Sequence, residues 1–84
     1  MSRIVRIIAT VTLREGASAI GAIVGLSREL DQQGAEPTGR KIEMNIELYK
    51  KIRLELQAHE VLSSYEIIAS TQCTYLAVCG SKKQ

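Results

Sequence analysis

The hydrophobic pattern changes its period once between Ile4 and Gln33, and this change limits what the chain can fold into. From Ile4 to Leu13 the odd positions are all apolar, whereas the even positions mix Ile with Arg and Thr. Such alternation in β-branched residues predicts a strand with one covered face and one partly wet face. From Ala17 to Gln33 the spacing becomes helical, and the residues on one stripe are Ile20, Ile23, Val24, Ser27 and Leu30. A strand followed directly by a helix therefore opens the chain.

The next residues carry the turn signals. Gly34 is well placed to end the helix, and the stretch 34–39 holds the one proline of the chain, so we expect a loop there.

The segment 41–58 has two interpretations. Its aliphatic residues and its methionine fall at even-numbered positions both before and after Tyr49–Lys51, as they would in the two strands of a hairpin. It could form a hairpin that turns at Tyr49–Lys51, but that turn lacks the Gly, Asn, Asp or Pro that tight hairpins need. The alternative is a short strand near 40–44 and a helix near 45–60, with Asn45 as N-cap. We prefer the helix, which leaves Leu54 on its outward face.

The remaining residues predict a pair of strands. Tyr65–Ser70 and Cys73–Cys79 are apolar runs with a tight connection at Thr71–Gln72, and 81–84 reads as a flexible polar tail. We therefore predict a single α+β domain over 1–84 with the order β-α-β-α-β-β. Its sheet has about four strands, and both helices pack on one face, because right-handed crossovers tend to share a side.

The composition favours self-association. The 84 residues include no Phe or Trp, so the core is small and aliphatic, and such domains often gain stability as oligomers. The uncovered sheet face is rather apolar for a wet surface, and the small residues of the first helix permit close approach of a neighbouring backbone. The expected homo-oligomer interface consists of Ile4, Ile8, Gly21, Gly25 and Leu54.

Motifs for phosphate binding are incomplete. Gly16 and Gly21 have the spacing of a P-loop, but Ala22 and Ile23 replace its Lys and Ser/Thr. The start of the first helix at Gly16–Ser18 is the only motif-level support for a small-ligand site there or between subunits.

Motifs for metal binding and catalysis are also incomplete. His59 begins a zinc-protease pattern, but Ser63 replaces its second histidine. Cys73 and Cys79 would lie about 20 Å apart in one strand, too far for a disulfide. We expect no catalytic residues, no cofactor and no metal.

The sequence contains no apolar run long enough to cross a bilayer. Its first residues combine arginines with apolar residues, as a signal peptide does, but Arg6 interrupts the run and no small-residue cleavage site follows. We expect a cytoplasmic protein without membrane contact.

Charge supplies an alternative function. The net charge is +2, with the basic excess after residue 39 and five acidic residues in the same half. The predicted element order resembles that of Alba-type chromatin and RNA-binding proteins, although no family motif accompanies it. That resemblance implies phosphate contacts, for which the candidates are Arg40, Lys41, Lys50, Lys51, Arg53, Lys82 and Lys83.

The incomplete phosphate-binding, metal-binding and catalytic motifs and the apolar surfaces together favour an interaction module. We expect a non-enzymatic, regulatory homo-oligomer that binds another protein. A small phage or mobile-element regulator of a host protein fits these features.

Overall fold

The computed structural model describes residues 2–9 and 18–83. The elements are β1 (Ser2–Ala9), α1 (Ala19–Gln32), β2 (Lys41–Asn45), α2 (Ile46–Ala58), a 3₁₀ turn (Leu62–Ser64), β3 (Glu66–Ser70) and β4 (Leu76–Lys83). This is the predicted β-α-β-α-β-β order of a small α+β domain, so the fold class is confirmed. The predicted strand residues 10–13 and Gly16 lie outside the described residues.

The four strands form one mixed sheet in the order β1-β4-β2-β3. β4 is antiparallel to both of its neighbours, whereas β2 and β3 are parallel. The predicted pairing of the last two strands is therefore wrong, because β2 lies between them. The connection from β3 to β4 passes the end of β2, where Nδ2 of Asn45 donates hydrogen bonds to the carbonyls of Thr71 (3.4 Å) and Cys73 (3.0 Å).

β4 continues beyond the predicted strand end at Cys79. Residues 81–83, expected to be a flexible tail, pair with β1, and Lys83 lies opposite Ser2. The difference arises because the beginning of β1 offers backbone partners to these polar residues. A polar sequence can form a strand when a neighbouring strand is long enough to pair with it.

Both helices pack against one face of the sheet and contact each other. In α2 the residues at four-residue spacing turn inward, which confirms the helical interpretation of this segment. The shared core consists of Ala19, Ile23, Leu26 and Leu30 of α1, Leu48, Ile52 and Leu56 of α2, Ile42 and Met44 of β2, Leu76 and Val78 of β4, and Ala35, Leu62 and Tyr65 from the connections.

Local side chains and one glycine determine where the helices begin and end. The Ser18 hydroxyl and the Asn45 side-chain oxygen accept hydrogen bonds from the first-turn amides of Gly21 (3.2 Å) and Glu47 (2.8 Å). Gly34 follows α1 with a φ of 80°, as predicted, and the amide of Ala35 reaches back to the carbonyl of Leu30. A positive φ at this position favours glycine.

Candidate interaction site

The outer edge of β1 is the first candidate surface. Within residues 2–9 and 18–83, β1 pairs with β4 alone. Its backbone therefore presents a second row of amide and carbonyl groups over eight residues. Ile4 lies on this strand and is 77% exposed on the sheet face opposite the helices. Ile8 belongs to β1 and pairs with Ala77, but its side chain lies outside the described part.

A polar cluster, which we call the Arg6 cluster, occupies the middle of this uncovered sheet face. It consists of Arg6, Glu43, Tyr75 and Cys79. Nε of Arg6 donates to Oε1 of Glu43 at 2.7 Å, and the guanidinium lies 4.9 Å from the centre of the Tyr75 ring and donates to its hydroxyl. The ion pair joins β1 to β2 and so passes over β4, where Ala77 is fully buried despite its outward register.

The same cluster makes the Cys79 thiol a weaker acid than an ordinary cysteine. Its Sγ lies 3.3 Å from Oε1 of Glu43, to which it donates. Burial, followed by the hydrogen bond and the negative charge of Glu43, raises the pKa of the Cys79 thiol to about 11. Because the thiolate is the nucleophile, a thiol protonated at neutral pH is poorly suited to covalent chemistry.

The other predicted interface residues lie in the helical layer. Gly21 and Gly25 are on the outer face of α1, opposite its buried stripe, and a side chain added at Gly25 would meet nothing within 4 Å. Leu54 is 73% exposed on the outer face of α2. Gly21 and Gly25 therefore do not provide close packing with the sheet or with α2. The predicted interface residues are divided between the two faces of the domain, so one flat interface cannot include them all.

The predicted phosphate-binding residues are dispersed. Lys82 and Lys83 lie at the end of the sheet where β1 and β2 begin, whereas α2, with Lys50 and Lys51 in its first half, starts at the opposite end. Arg53 is exposed on α2, and Lys41 begins β2. Several of these ammonium groups have acidic neighbours: Lys41 with Glu66 (3.7 Å), Lys50 with Glu47 (3.7 Å) and Lys83 with Glu36 (4.0 Å).

Arg40 lies inside the domain, and this placement does not fit the phosphate contact expected of it. Its side chain is only 4% exposed. Its guanidinium donates to Tyr65 Oη (3.0 Å), to Asp31 Oδ1 (2.5 Å) and to the carbonyls of Ala35 (3.1 Å) and Glu36 (2.9 Å). Arg40 therefore ties the loop after α1 to the segment before β3.

Neither the Arg6 cluster nor the burial of Arg40 is predicted from the sequence. For the cluster a signal exists, because Arg6 and Glu43 carry opposite charges and each lies between two apolar residues of its strand. Only the strand order, however, puts the two strands on either side of β4. For Arg40 we find no signal in the sequence.

Residues 2–9 and 18–83 contain no group of three His, Cys, Asp or Glu side chains arranged to hold a metal ion. Neither α1 nor α2 has the length and apolar character of a membrane span.

Comparison of the chain with protein-family models, with curated proteins and with solved structures finds no significant match.

Proposed function

We propose that this chain is a non-enzymatic interaction module that works as a homodimer, formed by pairing of β1 with β1 of a second copy. The observation that carries the proposal is the eight-residue edge of β1, which has β4 as its one partner among the described strands. An edge strand of this length, rich in Ile and Val, readily pairs with another chain. Pairing of two such edges would join two four-stranded sheets into one.

The Arg6 cluster supports this proposal because it neutralises a charged side chain of the edge strand β1. Charged side chains on an edge strand normally discourage pairing. Arg6 is directed toward β4 and β2, where Glu43 neutralises it. Ile4, which is 77% exposed, also faces outward from this strand and is uncharged.

The pattern of β1 favours one antiparallel register. Side chains directly opposite each other in an antiparallel pair lie on the same face. A two-fold axis at Arg6 would place the two Arg6 residues directly opposite each other, an unfavourable pairing of like charges even though each is paired with Glu43. An axis at Val5 pairs Val5 with Val5, Ile4 with Arg6 and Arg3 with Ile7, and it uses residues 2–8. We therefore expect the axis at Val5.

Molar mass in solution tests the dimer. Light scattering from about 1 µM to about 1 mM should show twice the 9.2 kDa mass of one chain at the upper concentrations. Ile4→Lys should weaken dimerisation at least about tenfold, since it places a charge beside Arg6 of the second copy. Leu54→Lys is the matched control, because Leu54 is exposed to a similar extent (73%) but lies on α2, and it should leave the mass unchanged.

A monomer throughout the series would contradict the proposal, and so would a dimer that Leu54→Lys dissociates and Ile4→Lys does not. The register has its own test. With both native cysteines replaced by Ser, Val5→Cys should form a disulfide-linked dimer on mild oxidation. Ile7→Cys should not, because its sulfur would lie opposite Arg3.

A further inference from the structure

A cleft lies between the second half of α1, the loop that follows it and the segment from the end of α2 to the start of β3. It encloses about 580 Å³, within the usual range for pockets that take small organic molecules. It is on the helical side of the domain, away from the outer edge of β1. The cleft is therefore independent of the proposed dimer interface.

The floor of the cleft is a hydrogen-bonded polar network. Arg40, Tyr65 and Ser27 all line it and are all buried. The Tyr65 hydroxyl accepts hydrogen bonds from Nη1 of Arg40 and from the Ser27 hydroxyl, both at 3.0 Å. A floor held in this way requires little rearrangement when a ligand enters.

The groups that remain for a ligand are hydrogen-bond donors. Arg28 lines the cleft, is exposed and has no acidic partner among the residues that the structure describes. His59 accepts hydrogen bonds at Nδ1 from the amides of Val61 (3.1 Å) and Leu62 (3.2 Å), which leaves Nε2 as the nitrogen that carries a proton. The carboxylate in the lining, Asp31, is already paired with Arg40.

The C-terminal end of α1, which lies nearby, does not reverse the preference of the cleft for negatively charged ligands. A helix C-terminus attracts cations through its unpaired carbonyl groups. Here the carbonyls of Glu29, Leu30 and Asp31 all accept hydrogen bonds at 3.0 Å from the amides that follow the helix. The positive charge of Arg40 also lies beside this end. An anion therefore meets a net positive lining.

The walls of the cleft are apolar. Val24, Pro37, Val61 and Leu62 contribute to them, and Val61 is one of the exposed large aliphatic residues of the chain. We propose that the cleft binds a small organic anion whose carboxylate or phosphate group pairs with Arg28 and His59 while its apolar body packs on these walls. An apolar pocket with a few convergent polar groups is the usual form of such a site.

Titration followed by amide chemical shifts in NMR spectra tests this site. The probes are benzoate and phenyl phosphate, which distinguish the two anionic groups, and the uncharged analogue benzamide. We expect saturable shifts at Arg28, Val61 and Leu62 with at least one anion, and affinity at least about tenfold weaker for benzamide. Arg28→Gln should weaken anion binding at least about tenfold. Arg53→Gln, an exposed arginine outside the cleft, should not.

The proposal is overturned by the absence of saturable shifts up to about 10 mM of either anion, or by shifts that saturate elsewhere in the domain. Equal affinity for benzamide, or unchanged binding by Arg28→Gln, would also overturn it. The Ile4→Lys variant should bind the anions as the wild type does. Failure of the dimer and failure of the cleft are therefore distinguishable.

Discussion

Nη1 of Arg40 donates a hydrogen bond of 3.0 Å to the hydroxyl oxygen of Tyr65, which joins the loop after α1 to the residue that precedes β3. Both side chains are buried. Burial alone would lower the pKa of Arg40, but the hydrogen bonds to Tyr65 and Asp31 outweigh it, so the pKa is raised above its usual value. Arg40 therefore stays charged and its contribution to stability persists across the working pH range.

Removing this guanidinium should destabilise the domain. Arg40→Met leaves two carbonyls and the Tyr65 hydroxyl without their charged donor, and we expect the free energy of unfolding to fall by about 2–4 kcal/mol. Tyr65→Phe removes only the hydroxyl group and should lower the free energy of unfolding by about 1–2 kcal/mol. Urea denaturation measures both. Arg53→Met, at an exposed arginine of α2, is the control and should change stability by no more than about 0.5 kcal/mol. Equal stability of the Arg40 and Arg53 variants would show that the network contributes nothing.

Cys79 should make the domain less stable in alkali. Its thiol has a pKa of about 11 in the folded chain and an ordinary value of 9.0. Below pH 9 both states hold the proton and stability is unaffected. Between these values the unfolded chain loses the proton first, so the free energy of unfolding falls as pH rises.

The measurement is urea denaturation at pH 8 and at about pH 10.5. Other groups also contribute to the pH dependence of stability, so the comparison is with Cys79→Ala. This variant should lose less stability than the wild type between the two pH values. An equal loss of stability in both proteins would mean that folding does not raise the pKa of the Cys79 thiol.

The helices of this domain could be predicted because local residues determine them. Asn45 caps α2, Gly34 ends α1, and the spacing of Leu48, Ile52 and Leu56 gives α2 its inner face. The same pattern predicted that Leu54 faces outward. Each of these features depends on residues within a few positions of one another.

The sheet order could not be predicted, because it depends on contacts far apart in the chain. The short connection between β3 and β4 favours a hairpin, yet β2 separates them, since Ile42 and Met44 are fully buried in the central part of the sheet. The Arg6–Glu43 pair follows from that order. A similar limit applies to Arg40, whose burial depends on acceptors that the loop and Tyr65 bring together.

His59 should stabilise the turn after α2 through its ring nitrogen. Nδ1 accepts from the amides of Val61 and Leu62, so the imidazole acts as a cap for the 3₁₀ turn. His59→Ala should lower the free energy of unfolding by about 1 kcal/mol, whereas His59→Asn, which keeps a short-range acceptor, should recover about half of that loss. Denaturation of the three proteins compares them. If Asn and Ala give the same stability, the hydrogen bonds at Nδ1 have no measurable effect.

Two glycines should respond to alanine in opposite directions. Gly34 has a φ of 80°, which strains any residue with a side chain, so Gly34→Ala should lower the free energy of unfolding by about 1–2 kcal/mol. Gly25 lies mid-helix, and a new methyl group there meets nothing within 4 Å. Gly25→Ala should therefore raise stability by about 0.5–1 kcal/mol.

Light scattering on the same samples gives a second result, because a dimer formed through β1 should be unaffected by a methyl group on the outer face of α1. A Gly25→Ala variant that is less stable, or that loses the dimer, would instead indicate that another chain approaches α1 closely at this glycine.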